Sequence, residues 1–119
     1  MNVEEFNKHL NHRIKLIRQV LDSKNKEYAS DVDKLHNFKR AGDMLRQTPE
    51  KALIGMWSKH IISILDIVDK IELDNQSVGL IFTAHPNSIT IDMIEEKIGD
   101  AINYLILLEA LLKERYNDE

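Results

Sequence analysis

The sequence has no cysteine, and among its 119 residues it has only four glycines, two prolines and no long apolar run. The absence of cysteine excludes disulfides, cysteine-ligated zinc and thiol nucleophiles. The scarcity of glycine and proline favours long helices over turn-rich β architectures. No apolar stretch reaches the roughly 20 residues that a membrane-spanning helix needs. The acidic N-terminus lacks the apolar run of a signal peptide, so we expect a cytoplasmic protein.

The remaining composition is typical of one soluble domain. Hydrophobic residues make up 43% of the chain and charged residues 30%, which is too apolar for a disordered protein. The length predicts a single helical domain covering residues 1–119. The net charge of -4 argues weakly against a general nucleic-acid binder, because such proteins usually carry an excess of basic residues.

Apolar residues at helical spacing predict four helices. These helices are expected at about residues 2–28, 31–46, 49–73 and 89–115. Each of the last three follows favoured N-cap residues: Ser30 or Asp31, Thr48, and Ser88 or Thr90. The expected fold is an all-α, antiparallel four-helix bundle. The last helix is apolar nearly all round between Ala101 and Leu112, so we expect it also to pack against another subunit.

Some apolar residues are expected on the packed sides of the middle helices. In the second helix these are Val32, Leu35, Phe38 and Leu45. Gly42 interrupts this helix and weakens it. The apolar face of the third helix consists of Trp57, Ile61, Ile64, Leu65, Val68 and Ile71.

The last helix carries polar residues where a plain core helix would carry aliphatic ones. Residues three and four apart share a helix face, so Glu96, Asp100 and Asn103 form one row. Two carboxylates in such a row can reach one Mg²⁺, which prefers oxygen ligands and usually also binds substrate phosphates. The alternative is a solvated stripe. That alternative is favoured for Glu96 alone, whereas the apolar neighbours of Asp100 and Asn103 favour a functional role.

Two further groups of residues have the chemistry of a nucleotide site. His60 lies at the edge of the apolar face of the third helix, beside Lys59, and could bind phosphate or transfer a proton. The run from Lys24 to Arg40 mixes cations, aromatics and amides, including Asn37 and Phe38. Cations neutralise phosphate and an amide can read a base edge. The alternatives are a boundary histidine and a charged helix end with Phe38 in the core.

The stretch from Glu96 to Leu105 resembles the last motif of the MazG-like all-α nucleoside triphosphate pyrophosphohydrolases, in which a Glu-x-x-Asp helix helps to bind Mg²⁺. The chain is also similar to small phage-encoded relatives linked to nucleotide modification. Their segments occur here in the same order: Tyr28 with Asn37-Phe38, then Lys59-His60, then Gly99 to Tyr104.

The resemblance implies a helical homodimer or homotetramer that cleaves a nucleoside triphosphate, with Mg²⁺, into a monophosphate and pyrophosphate. The family motif implies that Glu96 and Asp100 hold the metal. We expect these two residues to act in catalysis together with His60. The residues expected to bind substrate are Lys59, Asn37, Phe38, Asn103 and Tyr104.

The chain also departs from this family. Lys59 to Ser63 stands where the family has a Glu-Glu-x-x-Glu motif, and Lys97 occupies the position three residues before Asp100. The first acidic motif is therefore missing. A catalytically inactive helical protein that binds a protein partner remains the alternative.

Overall fold

The computed structural model describes residues 1–23, 33–76 and 89–117, and no strand occurs in these stretches. They form four helices, here α1 to α4 in chain order: Val3–Ser23, His36–Leu45, Pro49–Gln76 and Ile91–Asn117. The prediction of an all-α protein is confirmed. Some of the sequence predictions fall outside the described residues. They concern residues 24–28, Ser30, Asp31, Val32 and Ser88.

The starts of the two long helices follow from side-chain capping. The hydroxyl oxygen of Thr48 accepts the backbone N–H of Lys51 at 3.2 Å. The hydroxyl oxygen of Thr90 accepts the backbone N–H of Met93 at 3.1 Å. Both hydroxyls satisfy N–H groups that the first helical turn leaves unpaired, so these two predicted N-caps are confirmed.

Helix α2 begins at His36, later than predicted. The carboxylate of Asp33 accepts the backbone N–H of Leu35 at 2.9 Å, which forms a local turn instead of a first helical turn. The helix continues through Gly42 and ends at Leu45.

The corner between α2 and α3 is tight because Gly42 has no side chain. The residue after the helix, Arg46, adopts the left-handed conformation with φ 54°. The backbone N–H of Gln47 then donates to the carbonyl oxygen of Gly42 at 2.8 Å. A Cβ at position 42 would lie only 2.8 Å from the carbonyl oxygen of Gln47. The chain can therefore return directly over this residue into α3.

Helices α3 and α4 pack antiparallel, and α2 covers one side of α3. The antiparallel direction brings Glu50 at the start of α3 against Arg115 near the end of α4, where the guanidinium donates to both carboxylate oxygens at 2.7 and 3.0 Å. The core between these helices contains Leu35, Phe38, Leu53 and Leu111, and Leu53 is fully buried. Helix α1 lies against α4.

Several apolar residues that the pattern assigned to packed faces are exposed. The prediction that Leu45 is buried is wrong, because it is 59% exposed. In the second half of α3, Leu65, Val68 and Ile71 are each about half exposed. Four apolar residues of α1 at helical spacing are exposed as well: Val3, Phe6, Leu10 and Ile14. The helices within one chain therefore leave large apolar faces uncovered. No helix in the described part of the chain is long and apolar enough to cross a membrane.

Candidate functional site

A cavity of about 410 Å³ lies where α1, α2, α3 and α4 meet. Six of the eight residues predicted from the sequence line it: Asn37, Phe38, His60, Asp100, Asn103 and Tyr104. They come from three helices, and the antiparallel packing of α3 on α4 brings them together. The polar residues of the third and fourth predicted helices thus share one cavity.

His60 and Asp100 form the charged pair of this cavity. The Nδ1 atom of His60 is 3.6 Å from the Oδ2 atom of Asp100. This distance is longer than a hydrogen bond, but it makes an ion pair when the imidazole is protonated. Both side chains are partly exposed, at 25% and 34%. They are therefore accessible to a ligand and are not locked into the core.

Tyr104 connects this pair to an aromatic wall. Its ring centroid is 4.8 Å from that of His60, with the planes inclined by 31°. Phe38 meets Tyr104 in an edge-on arrangement, with centroids 6.0 Å apart and planes inclined by 71°. Aromatic faces of this kind pack well against a planar ligand.

Asn103 is the most buried polar residue among those described, at 6% exposure. Its Oδ1 atom is inaccessible to solvent and has no hydrogen-bond partner in the described part of the chain. The indole nitrogen of Trp57 is also buried with no hydrogen-bond partner among the described residues, but Trp57 does not line the cavity. Leaving a buried acceptor unpaired costs about 1 to 3 kcal/mol. Asn103 lines the cavity, but its Oδ1 atom is buried below the accessible surface.

Lys59 and Glu96, which the sequence also suggested, are exposed and do not line the cavity. Lys59 precedes His60 by one residue, so it projects about 100° away around the helix. No group of three histidine or acidic side chains that could hold a metal occurs within residues 1–23, 33–76 and 89–117. The pair Glu96 and Asp100 therefore has no third protein ligand there.

Lys34 belongs to the predicted run of cations from Lys24 to Arg40 but was not among the predicted site residues, and a contribution from α1 was not predicted. Lys34 lines the cavity together with Val20 and Leu21 from the end of α1. Lys39, on α2, instead donates hydrogen bonds to the carboxylates of Asp33 and Glu114. The hydrogen bond with Asp33 raises the pKa of Lys39 and lowers the pKa of Asp33. Among the described residues, Lys34 is thus the lysine that lines the cavity.

Two polar contacts hold helix α1 against α4 beside the cavity. His12 lies 3.0 Å from the carboxylate of Glu95, and the Arg13 guanidinium donates to the Glu95 carbonyl oxygen at 3.1 Å. A Cβ on Gly99 would lie 2.6 Å from the Nη1 atom of Arg13, so this glycine leaves room for the guanidinium. The glycine in an otherwise apolar helix was the sequence feature that could have indicated this close approach.

In comparisons with known proteins, no family model, no curated protein and no solved structure matches the chain. The resemblance to MazG-like enzymes therefore rests on the sequence motifs alone.

Proposed function

We propose that this chain is a nucleotide-binding protein and that the cavity takes a nucleoside phosphate. The observation that carries this proposal is the convergence of six residues, chosen from the sequence for nucleotide chemistry, on one cavity of about 410 Å³. Small-molecule sites usually occupy about 300 to 1,000 Å³ and combine apolar walls with a few polar groups. This cavity has both properties.

The walls of the cavity suggest how the ligand lies. Phe38 and Tyr104 offer aromatic surface to the base. Lys34 is exposed at the cavity and offers a positive charge, and His60 offers a second hydrogen-bonding group. We therefore place the base against the aromatic wall and the phosphates toward Lys34 and His60.

The pair of His60 and Asp100 supports hydrolysis of a bound triphosphate. Nδ1 of His60 faces Asp100, so Nε2 is the nitrogen left to accept a proton from water. The water oxygen forms a bond to phosphorus at the α–β anhydride, and the bridging P–O bond breaks. The products are the monophosphate and pyrophosphate, and the proton passes from His60 to solvent. Asp100 orients the imidazole and stabilises its charged form.

The Mg²⁺ that the resemblance implies stays a prediction. The described residues provide at most Glu96 and Asp100 on one helix face, with no third protein ligand. This set does not make a metal site by itself, so the proton transfer above does not depend on a metal. Mg²⁺ often binds through one carboxylate and the phosphates of its substrate, and assays with and without Mg²⁺ test that arrangement.

The exposed apolar faces support a MazG-like bundle that is completed by a second copy of the chain. Within the described part of the chain, Phe6 and Leu10 on α1 are 52% and 45% exposed, so this helix also presents an uncovered apolar face. On α3 the exposed Ile54, Leu65 and Val68 repeat at near-heptad spacing, which suits helix pairing.

Two measurements test these proposals. Thermal-shift titration with the common ribo- and deoxyribonucleoside triphosphates is expected to raise the unfolding temperature, and pyrophosphate release is expected in the same mixtures. His60→Ala and Asp100→Asn should lower turnover by about 100-fold or more, whereas the exposed Asp69→Asn on α3 should leave it unchanged.

Each outcome has a distinct meaning. Binding without pyrophosphate release would overturn hydrolysis and leave nucleotide binding standing. Indifference to every nucleotide would overturn nucleotide binding and favour a helical protein that binds a protein partner. Light scattering that shows a monomer at micromolar concentration would overturn the second-copy proposal.

A further inference from the structure

Arg13 has hydrogen-bond donors that its contacts within the fold do not use. Its guanidinium donates to the carbonyl oxygen of Glu95 at 3.1 Å. The carboxylate of Glu95 lies 3.0 Å from His12 instead, and no carboxylate among the described residues forms an ion pair with Arg13. A guanidinium has five N–H donors and always carries its charge. Arg13 is partly exposed and can therefore donate further hydrogen bonds to an anion.

The guanidinium of Arg13 lies close to the charged pair of the cavity. A Cβ on Gly99 would lie 2.6 Å from the Nη1 atom of Arg13, and the Cα atoms of consecutive residues are about 3.8 Å apart. Adding one carbon–carbon bond places Nη1 within about 8 Å of the Cα atom of Asp100. Asp100 lines the cavity, and its carboxylate is 3.6 Å from His60. Arg13 therefore brings a positive charge from α1 to the neighbourhood of the proposed site of hydrolysis.

A triphosphate needs more positive charge than the described residues of the cavity wall supply. Each phosphoryl group carries at least one negative charge at neutral pH, and a terminal one carries nearly two. Lys34 and a protonated His60 supply two positive charges at most. Arginine suits phosphate well, because its planar fork of donors can bind two oxygens at once. Arg13 thus has the charge and the donors that the phosphate end of the ligand requires.

We propose that Arg13 binds the terminal phosphates of the nucleoside triphosphate. This inference rests on the proposed nucleotide binding and specifies the ligand by its number of phosphates. With the base against the aromatic wall and the α-phosphate at His60, the β- and γ-phosphates extend toward Arg13. When the bridging P–O bond breaks, the bridging oxygen leaves with the pyrophosphate, and the guanidinium stabilises the negative charge of this leaving group.

The proposal predicts that affinity depends on the number of phosphates. A hydrogen bond between charged groups typically changes affinity by about 10- to 100-fold. The wild type should therefore bind a triphosphate more tightly than the monophosphate of the same nucleoside by about this factor. Arg13→Gln should lower the ratio of the two affinities by about 10-fold or more. The affinity for the monophosphate should stay unchanged, because the α-phosphate lies at His60.

The test is calorimetric titration of the whole chain, in the absence of Mg²⁺, so that the protein itself supplies the positive charge. The probes are the monophosphates and the α,β-methylene triphosphates of adenosine, guanosine, cytidine and thymidine. The methylene group prevents cleavage at the α–β position. The ratio is taken within each variant, so a loss of stability that weakens both ligands equally cancels.

Arg18→Gln is the matched control. Arg18 lies on the same helix, is exposed and does not line the cavity, and it projects about 140° around α1 from Arg13. This substitution removes the same charge and should keep the wild-type ratio. Arg13→Lys is a second variant in case Arg13→Gln does not fold. It should lower the ratio by a smaller factor, because the ammonium keeps the charge but lacks the fork of donors.

Several results would overturn the inference. A wild-type ratio near one would do so, and so would a full wild-type ratio in Arg13→Gln, or in Arg13→Lys if that variant takes its place. Equal weakening of mono- and triphosphate in Arg13→Gln would assign Arg13 only the role of holding α1. An equal loss in Arg18→Gln would reduce the effect to general charge attraction. In each of these cases the proposed nucleotide binding would stand, whereas failure of every probe to bind the wild type would remove the proposed function as well.

Discussion

Gly42→Ala is expected to destabilise the protein, although alanine is the better helix former. The added methyl carbon would lie 2.8 Å from the carbonyl oxygen of Gln47, 3.0 Å from the nitrogen of Pro49 and 3.1 Å from the carbonyl carbon of Thr48. All three are backbone atoms, so no side-chain rotation can relieve the contacts. The corner between α2 and α3 would have to open, and α2 carries the buried Phe38.

The magnitude follows from two opposing effects. Alanine stabilises a helix interior by about 1 kcal/mol relative to glycine. Overpacking of a close backbone approach costs about 1 to 3 kcal/mol and often more where backbone must move. We therefore expect a net loss of up to about 2 kcal/mol, which corresponds to a fall of up to several degrees in unfolding temperature for a domain of this size.

Gly55→Ala is a matched control in the same protein. Gly55 lies within α3, and a Cβ there would meet no atom within 4 Å. The same substitution should therefore stabilise the chain by up to about 1 kcal/mol. Urea unfolding followed by circular dichroism, at one fixed protein concentration, measures both variants. If Gly42→Ala were as stable as Gly55→Ala, the close approach of the backbone at this corner would be refuted.

Two further predictions concern contacts at the ends and edges of α4. Arg115 holds the pKa of the Glu50 carboxyl below its ordinary range through their hydrogen bonds. The pair therefore stabilises the fold above the ordinary carboxyl pKa, and this contribution is lost as the pH falls through the lower folded-state pKa. Glu50→Gln should lower the urea midpoint at neutral pH and converge on the wild type only as the pH falls below the lowered folded-state pKa of Glu50; a gap independent of pH would contradict this. Gly99→Ala should displace Arg13 from the Glu95 carbonyl, at a smaller cost than Gly42→Ala because the guanidinium can move. In an Arg13→Ala background, Gly99→Ala should be neutral or stabilising, and a full additive loss in the double mutant would count against the contact.

Local sequence patterns predicted the helices themselves. The hydroxyls of Thr48 and Thr90 cap α3 and α4 as their positions indicated. Capping and helical periodicity depend on residues within four positions of each other, so they can be read from neighbouring letters. The start of α2 was misplaced because the Asp33 carboxylate binds the Leu35 N–H in a turn that competes with the helix.

The residue types of the candidate site could be predicted from the sequence, but their arrangement in space could not. His60 and Asp100 were chosen for their chemistry, but their separation of 3.6 Å depends on the register of α3 against α4. Lys59 and Glu96 were chosen for equally suitable side-chain chemistry, but both are exposed and do not line the cavity. Lys34 lines the cavity only because the turn before α2 carries it there.

Hydrogen bonds within one helical turn involve only nearby residues, so the sequence alone was enough to predict the helical type of the described elements and the caps of α3 and α4. Tertiary structure alone decided which polar groups share a cavity, which apolar faces are exposed, and that the Asn103 oxygen is buried with no partner among the residues that the structure describes. These properties follow from how whole helices pack, and packing sums weak contacts between residues that lie far apart in the chain.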